Sequence, residues 1–235
     1  MLEKTHAHPR DSRIRFFPED HRYEVDGRQF ISVTTVIKKC FPQFDADQAI
    51  KKMGARHPLY GKPAEEIKAL WEANGKASRD AGTLMHKQIE DFLNTGDLGD
   101  TPEFQRFHKI FTKSGKGDPY RTEWMIFDEE TGIAGTIDYV YKVGNQFAMT
   151  DWKRSKGIKR ENRWQQAFQP VAHLPACNFS EYSLQQNIYR LILLKHYNIT
   201  IEKMALARFY DDAFEAVQVP LMEEEAAKVM ALAKE

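Results

Sequence analysis

The stretch that decides the fold is GTIDYVYKVGNQFAMTDWKRSK, residues 135–156, in which two β-rich runs flank Gly144-Asn145. Glycine at the first central position suits a type II′ turn, so the sequence predicts a β-hairpin. Counting equally outward from this turn places Asp138 opposite Asp151, with Cβ atoms about 4.5–5.5 Å apart. Lys153 lies two residues beyond Asp151 and therefore shares its face. The hairpin thus brings two carboxylates and an ammonium group together in segments suited to burial.

A divalent cation would explain this arrangement, because like charges that face each other destabilise a sheet. Hard oxygen ligands favour one or two Mg²⁺ or Mn²⁺ ions over zinc. Glu123 joins the pair if the loop DEETG turns at Glu130-Thr131, since counting outward then places Glu123 opposite Asp138. The alternative is a solvated face with incidental charges, but the strands are rich in aromatic and β-branched residues.

Carboxylates and a lysine on adjacent strands are typical of sites that hydrolyse phosphodiester bonds. Metal ions held by the carboxylates would bind the phosphate and lower the pKa of a water molecule. Lys153 would orient or deprotonate that water, or stabilise charge on the phosphorus centre. The predicted catalytic residues are Lys153, Asp151, Asp138 and Glu123.

The segment after the hairpin, KRSKGIKRENR, is basic and lies between Trp152 and Trp164. Basic groups with interleaved aromatic rings suit single-stranded DNA, although a solvated loop would have the same composition. The residues predicted to support DNA binding in this segment are Arg154, Lys156, Lys159, Arg160 and Trp164.

Outward from the hairpin, strands and helices follow one another in an α+β pattern. Asp26-Gly27 between alternating runs predicts an N-terminal hairpin. A threonine in SVTTVIKKCF is expected to cap a short helix. Helical segments are expected at 45–77, 77–96, 102–114, 180–197 and 221–234, and further strands at 119–127, 203–210 and 215–219. These elements predict a central mixed β-sheet flanked by helices.

Composition is that of an ordinary globular protein, with 42% hydrophobic and 29% charged residues in a chain of 235. The 34 Lys and Arg residues balance 34 Asp and Glu, so the net charge favours no class of partner. Two cysteines in no C-x-x-C arrangement argue against a disulfide framework or a structural zinc site. Neither a membrane-spanning run nor a signal-peptide core is found, so we expect a cytoplasmic, intracellular protein without a membrane partner.

The length suits one domain. We expect residues 1–12 to form a flexible tail and residues 13–235 to form a single nuclease domain. Within it, residues 13–80 would form the N-terminal hairpin and helical part, 81–200 the catalytic core, and 201–235 the closing strands and helix.

The order GTID…DWK resembles the core of the PD-(D/E)XK nuclease superfamily. Ile137 stands where the superfamily name has proline, and Asp151 where many members have glutamate. Three further features are similar to the RecB-like exonuclease branch, which includes CRISPR-associated, mitochondrial genome maintenance and phage exonucleases. They are GTLMH at 82–86, the order Glu123, Gly135, Asp138, and the Q-x-x-x-Y pair Gln185 and Tyr189.

This resemblance implies a restriction-endonuclease-like fold and a metal-dependent exonuclease that acts on DNA ends or single strands. It implies that the metal is bound by His86, Asp138, Asp151 and the backbone carbonyl of Trp152. His86 can point from a packed helix face toward the sheet. Gln185 and Tyr189, one helical turn apart, would contact the lysine strand or the DNA.

Two departures narrow the resemblance. Iron–sulfur members need four cysteines, so no iron–sulfur cluster is expected. No G-x-x-x-x-G-K motif is present, so we expect no ATP hydrolysis. A recombinase, helicase or single-strand-binding protein is then expected as a separate partner. The resemblance implies a role in phage DNA processing, repair or recombination. The alternatives are an endonuclease of the same superfamily, a catalytically silent DNA-binding module, and a zinc hydrolase that uses His86.

Overall fold

Helices and strands follow one another along a computed structural model that describes residues 1–113, 117–210 and 213–234. The helices are α1 Leu2–Thr5, α2 Val33–Lys38, α3 Ala46–Lys51, α4 Ala64–Thr95, α5 Pro102–Lys113, α6 Asn178–Tyr197 and α7 Glu223–Ala231, with short 3₁₀ turns at Asp11–Arg13 and Leu232–Lys234. The strands are β1 Ile14–Phe17, β2 Arg22–Val25, β3 Arg28–Ser32, β4 Asp118–Asp128, β5 Ile133–Val143, β6 Gln146–Arg154, β7 Ile201–Tyr210 and β8 Ala213–Gln218.

These strands form one mixed sheet in the order β1-β2-β3-β5-β6-β7-β8, with β4 paired to β5 outside this path. The β3–β5 and β6–β7 pairs are parallel, and the other pairs are antiparallel. The predicted α+β fold, a central mixed sheet flanked by helices, is therefore confirmed.

Helices cover both faces of the sheet. On one face, α6 packs Leu184 and Ile188 into a core that also contains residues of α2 and α7. On the other face, Met85 of α4 and Phe107 of α5 pack against Trp152 and other aromatic residues of the sheet. Among the described residues, no helix combines the length and the apolar character needed to cross a membrane.

The β5–β6 hairpin has the predicted register. Val143 pairs with Gln146 across the turn, and the pairing continues to Tyr139 and Thr150. Gly144 has φ +60°, the left-handed backbone that the first central position of a type II′ turn requires. Asp138 and Asp151 are the next facing positions, and the strand pairing ends just before them.

Two strands share the same edge of β5. Since β4 pairs along one edge of β5, the other two neighbours lie along the opposite edge. There β3 pairs with Ile133 and Ala134, and β6 pairs with residues 139–143. Among the described pairings, residues 135–138 therefore have no strand partner on this edge. Asp138 lies in that gap, at the point where the sheet divides.

The N-terminal residues are docked against β4, and the flexible tail expected for residues 1–12 is not what the structure shows. The buried Arg121 donates hydrogen bonds to Asp11 Oδ2 at 2.7 Å and to the carbonyl oxygen of His6 at 3.0 Å. Trp124 Nε1 donates to Asp11 Oδ1 at 2.9 Å. Composition suggested a solvated end, but two buried donors on β4 need acceptors, and this segment supplies them.

Two local predictions differ from the structure in how a helix begins or continues. Ser32, and not a threonine, caps α2, because its Oγ accepts the backbone N–H of Thr35 at 3.1 Å. The break expected near residue 77 is absent, since α4 runs without interruption until Gly96 ends it with φ +84°. The helix expected at 102–114 is described as far as Lys113, and residue 114 lies outside the described residues. Residue 235, the last of the predicted nuclease domain, also lies outside them.

Asp128, which is 1% exposed, is a buried carboxylate at the β4–β5 turn. It accepts hydrogen bonds from Thr131 Oγ1 and His196 Nε2, both at 2.6 Å. Burial alone would raise the pKa of Asp128, but these hydrogen bonds outweigh it and hold the pKa below its usual 3.8. A lowered pKa stabilises the fold above the unfolded-state pKa, and this stabilisation is lost as the pH falls through the folded-state pKa.

We therefore expect Asp128→Asn to lower the free energy of unfolding by about 1–3 kcal/mol at pH 7, the usual cost of an impaired buried hydrogen-bond network. The difference from wild type should shrink below about pH 4. Urea unfolding at pH 7 and pH 3 measures both values, with the exposed Asp20→Asn as a matched control. Equal losses of stability at the two pH values would contradict this role for the charge.

Candidate metal centre and lysine site

Three elements bring His86, Glu123 and Asp138 together at the gap in the sheet. His86 Nδ1 on α4 lies 3.2 Å from Glu123 Oε1 on β4 and 3.8 Å from Asp138 Oδ2 on β5. One ligand atom from each residue lies within 4.8 Å of the others. Among the described residues, this group could hold a metal ion.

The backbone of Glu123 explains why its carboxylate reaches this group. Pairing on either side of it follows the predicted register, with Thr122 facing Tyr139 and Trp124 facing Ile137. Glu123 itself has φ +43°, a left-handed conformation that is uncommon for a residue other than glycine. Side chains normally alternate between faces, yet both Thr122 and Glu123 contact α4, through Asn94 and His86. The unusual backbone therefore turns Glu123 toward His86, as strain at functional positions often does.

His86 is surrounded by acceptors. Its Nε2 lies 3.0 Å from the backbone carbonyl of Trp152, while Nδ1 faces Glu123. Burial lowers the pKa of His86, but the charges of Asp138 and Glu123 outweigh burial and raise the pKa to about 9. Without a metal the ring is a cation at neutral pH, so a metal ion that binds Nδ1 replaces a proton there.

The two aspartates of the hairpin are both buried. Asp138 Oδ2 accepts the backbone N–H of Trp152 at 2.7 Å, which continues the contact between β5 and β6 beyond the end of their pairing. Burial raises the pKa of Asp138. Burial also raises the pKa of Asp151 to about 6, with the charge of Lys153 opposing this rise and that of Asp138 adding to it. The site therefore favours a cation near both carboxylates.

Lys153 is held by contacts from its own strand and from α6. Its Nζ lies 2.7 Å from Asp151 Oδ2, 3.4 Å from Gln185 Oε1 and 4.5 Å from the centre of the Tyr182 ring. Gln185 Nε2 in turn donates to the hydroxyl of Tyr189 at 3.1 Å. Burial lowers the pKa of Lys153, but the charges of Asp151 and Asp138 raise it above its usual value, so the group is an ammonium.

Gly135 leaves the space that the Tyr189 ring occupies. A Cβ atom at position 135 would lie 2.5 Å from Tyr189 Cε1 and 2.8 Å from its hydroxyl oxygen. We expect Gly135→Ala to lower the free energy of unfolding by about 1–3 kcal/mol, the usual cost of overpacking. Urea unfolding measures this loss. The second substitution Tyr189→Leu should recover part of it, whereas additive losses in the double variant would contradict a direct clash.

The predicted site residues fall into two groups in space. His86, Glu123 and Asp138 form the possible metal group, and Asp151 and Lys153 form an ion pair beside it. Metal binding by Asp151 and by the Trp152 carbonyl stays a prediction. Gln185 and Tyr189 reach the lysine strand, as expected from the sequence.

The residues predicted to bind DNA lie in two environments, one with a structural ion pair and one exposed. Arg154 pairs with the buried Glu103 of α5 at 2.7 Å and therefore has a structural contact. The loop after β6 carries Trp164, which is 92% exposed, together with the exposed side chains of Lys156, Lys159 and Arg160.

The sequence pattern did not identify two residues that contact side chains of β6. Tyr182 lies three residues before Gln185 on α6, so helical spacing could have placed it on the same face. Glu103 shows no such signal, because only the packing of α5 on the sheet brings it to Arg154.

The donor atoms fit a divalent ion. Two carboxylates and an imidazole offer oxygen-rich ligands, and the lone pair at Nδ1 becomes available when His86 loses a proton. Nothing in this geometry by itself selects one ion.

Comparison with known proteins gives no assignment. No family model matches the chain, and no curated protein matches it. Among solved structures, the chain is similar to the crystal structure of SSO0001, with 18% identity over 87% of this chain and 73% of that one, and a TM-score of 0.39. That similarity is too weak to support an argument about function.

Proposed function

We propose that the chain is a divalent-metal-dependent DNA nuclease that hydrolyses phosphodiester bonds, of the RecB-like PD-(D/E)XK type. The observation that carries this proposal is the placement of the Lys153–Asp151 ion pair beside a His86, Glu123 and Asp138 group. A metal group alone is compatible with many hydrolases. An adjacent lysine ammonium adds a positive charge that can stabilise the negative charge of a phosphodiester in its transition state.

His86, Glu123 and Asp138 would hold the ion, with Asp151 close enough to affect His86 electrostatically. Their oxygen-rich donor set favours Mg²⁺ or Mn²⁺. When bound, such an ion stabilises negative charge on the phosphate and makes a water molecule more acidic.

Lys153 would contact the phosphate as an ammonium and stabilise the charge that develops in the transition state. Asp151 holds the ammonium in place from the strand, and Tyr182 and Gln185 hold it from α6. Because contacts from β6 and from α6 both hold the Lys153 ammonium, this group needs little reorganisation when a substrate binds.

The loop between β6 and α6 would bind the DNA strand. Lys156, Lys159 and Arg160 are exposed there and carry the positive charge that phosphates attract. Trp164 presents a ring on which an unpaired base can stack. This arrangement favours action on single strands or on DNA ends.

The test is cleavage of end-labelled single- and double-stranded DNA with Mg²⁺ or Mn²⁺, in linear and in circular form. We expect linear DNA to be degraded from its ends and circular DNA to survive, with no cleavage in EDTA. Cleavage of circular DNA would support an endonuclease of the same chemistry. DNA binding without any cleavage, measured by fluorescence anisotropy, would support a silent binding module and refute the proposed activity.

A further inference from the structure

A second concave site lies under α5, on the sheet face that also carries α4. Its volume is about 420 Å³, within the range of small-molecule sites. Alternate residues of β5, β6, β7 and β8 form its floor, and α5 contributes Phe107 to its side. Among the described residues of the proposed nuclease site, only Trp152, a predicted metal ligand through its backbone carbonyl, also lines this cleft, and it does so with its ring. The cleft therefore needs a separate explanation.

Aromatic rings form one continuous wall of the cleft. Tyr139 stacks on Tyr141 with ring centres 5.0 Å apart and planes 12° apart, and on Trp152 at 5.4 Å and 24°. Phe107 meets Trp152 edge to face at 5.5 Å. Because the faces of stacked rings meet one another, the row presents mainly ring edges to the cleft, and a planar ligand can pack against such edges in the edge-to-face geometry that aromatic groups favour.

Two polar groups accompany this wall. The hydroxyl of Tyr139 is buried and has no hydrogen-bond partner among the residues that the structure describes. Buried polar atoms are nearly always paired, so a missing acceptor is a sign of an absent ligand or solvent molecule. Lys203 of β7 also lines the cleft and is exposed, so it supplies a positive charge at the edge.

We propose that this cleft binds a nucleoside monophosphate, with the base against the aromatic wall, an acceptor atom near Tyr139 and the phosphate near Lys203. A flat ring, a hydrogen-bond acceptor and an anion are the three features that the lining requires, and a nucleotide has all of them. The choice of a nucleotide rests on the proposed nuclease function, which would release one, whereas the cleft itself does not depend on that function.

Binding is tested on the full chain in EDTA, where no cleavage occurs, by equilibrium dialysis with deoxyadenosine monophosphate. We expect a dissociation constant of about 1 mM or lower, which corresponds to about 4 kcal/mol. Deoxyadenosine and deoxyribose 5-phosphate should each bind at least 3-fold more weakly, because each lacks one of the features. Because the loop between β6 and α6 is also proposed to bind strands, a short oligodeoxyadenylate is compared in wild type and in Ala216→Phe, a variant that fills the cleft. Oligonucleotide binding that this variant weakens as much as it weakens nucleotide binding would place a strand end in the cleft and overturn the proposal of a free nucleotide.

Ala216 of β8 lines the cleft and is exposed, so Ala216→Phe should fill it and weaken nucleotide binding at least 10-fold. Ala213→Phe is the matched control, since it lies on the same strand with its side chain on the opposite face. Tyr139→Phe, which keeps the ring, should weaken binding about 3- to 10-fold through loss of the hydroxyl. Lys203→Ala should weaken binding of the nucleotide but not of deoxyadenosine. Circular dichroism checks the fold, and if Ala216→Phe does not fold, the other two variants decide.

Absence of binding at 10 mM nucleotide, or binding that none of these variants weakens, would overturn the proposal. The result of the nucleotide-binding measurement does not depend on DNA cleavage. Binding without DNA cleavage in metal would contradict only the nuclease function, and cleavage without binding would contradict only the nucleotide site.

Discussion

Replacement of Lys153 by alanine is expected to abolish metal-dependent DNA cleavage, with a loss of at least about 10³-fold in rate. A positioned charge or proton donor at the reacting centre typically contributes about 10²–10⁴-fold. The fold should survive, because burial already raises the pKa of Asp151 to about 6. Without the neighbouring ammonium that pKa rises further, so Asp151 becomes protonated and no uncompensated charge remains buried.

The measurement is single-turnover cleavage of end-labelled DNA, together with anisotropy for DNA binding and urea unfolding for stability. Lys228→Ala, which removes an exposed lysine on α7, is the matched control and should leave the rate unchanged. A Lys153→Ala protein that is folded and cleaves at a wild-type rate would exclude Lys153 from the chemistry.

Asp138→Asn is expected to remove divalent-metal binding and, with it, cleavage. The asparagine oxygen can still accept the backbone N–H of Trp152, so the contact between β5 and β6 is kept. What is lost is the negative charge opposite His86 and one ligand oxygen. Loss of a residue that merely supports a ligand costs about 10–100-fold in metal affinity, so loss of a ligand should cost at least 100-fold.

Isothermal titration with Mn²⁺ measures this affinity without any DNA substrate. Asp118→Asn is a matched control, because Asp118 is an exposed aspartate at the start of β4. If Asp138→Asn binds Mn²⁺ as tightly as wild type, Asp138 is not a ligand. Retained binding with lost cleavage would instead assign it a role in the chemical step.

The sequence predicted the hairpin and its register because both depend on short-range rules. Glycine at Gly144 selects the turn, and the turn then fixes every facing pair as far as Tyr139 and Thr150. The register of Glu123 followed in the same way from the loop after β4. Period-2 alternation placed Lys153 beside Asp151, and the 2.7 Å contact between them agrees with it.

The sequence could not predict contacts that depend on packing between distant elements. Arg154 stands in a basic segment, so composition suggested a DNA contact, but the buried Glu103 of α5 pairs with it. The docking of residues 1–12 follows from the needs of Arg121 and Trp124, which lie more than 100 positions away. The left-handed backbone of Glu123 has no signal in sequence, because glutamate rarely adopts it.

The divided edge of β5 has a consequence for the order of folding. The β5–β6 hairpin closes over a two-residue turn and needs no other part of the chain. The β3–β5 contact instead joins Ile31 to Ile133 through only two residue pairs, across about a hundred residues. Since distant contacts form more slowly than local ones, we expect the aspartates and the lysine to be assembled on the hairpin before the sheet is complete beside them. A refolding chain would thus assemble the chemical groups early and acquire their full surroundings last.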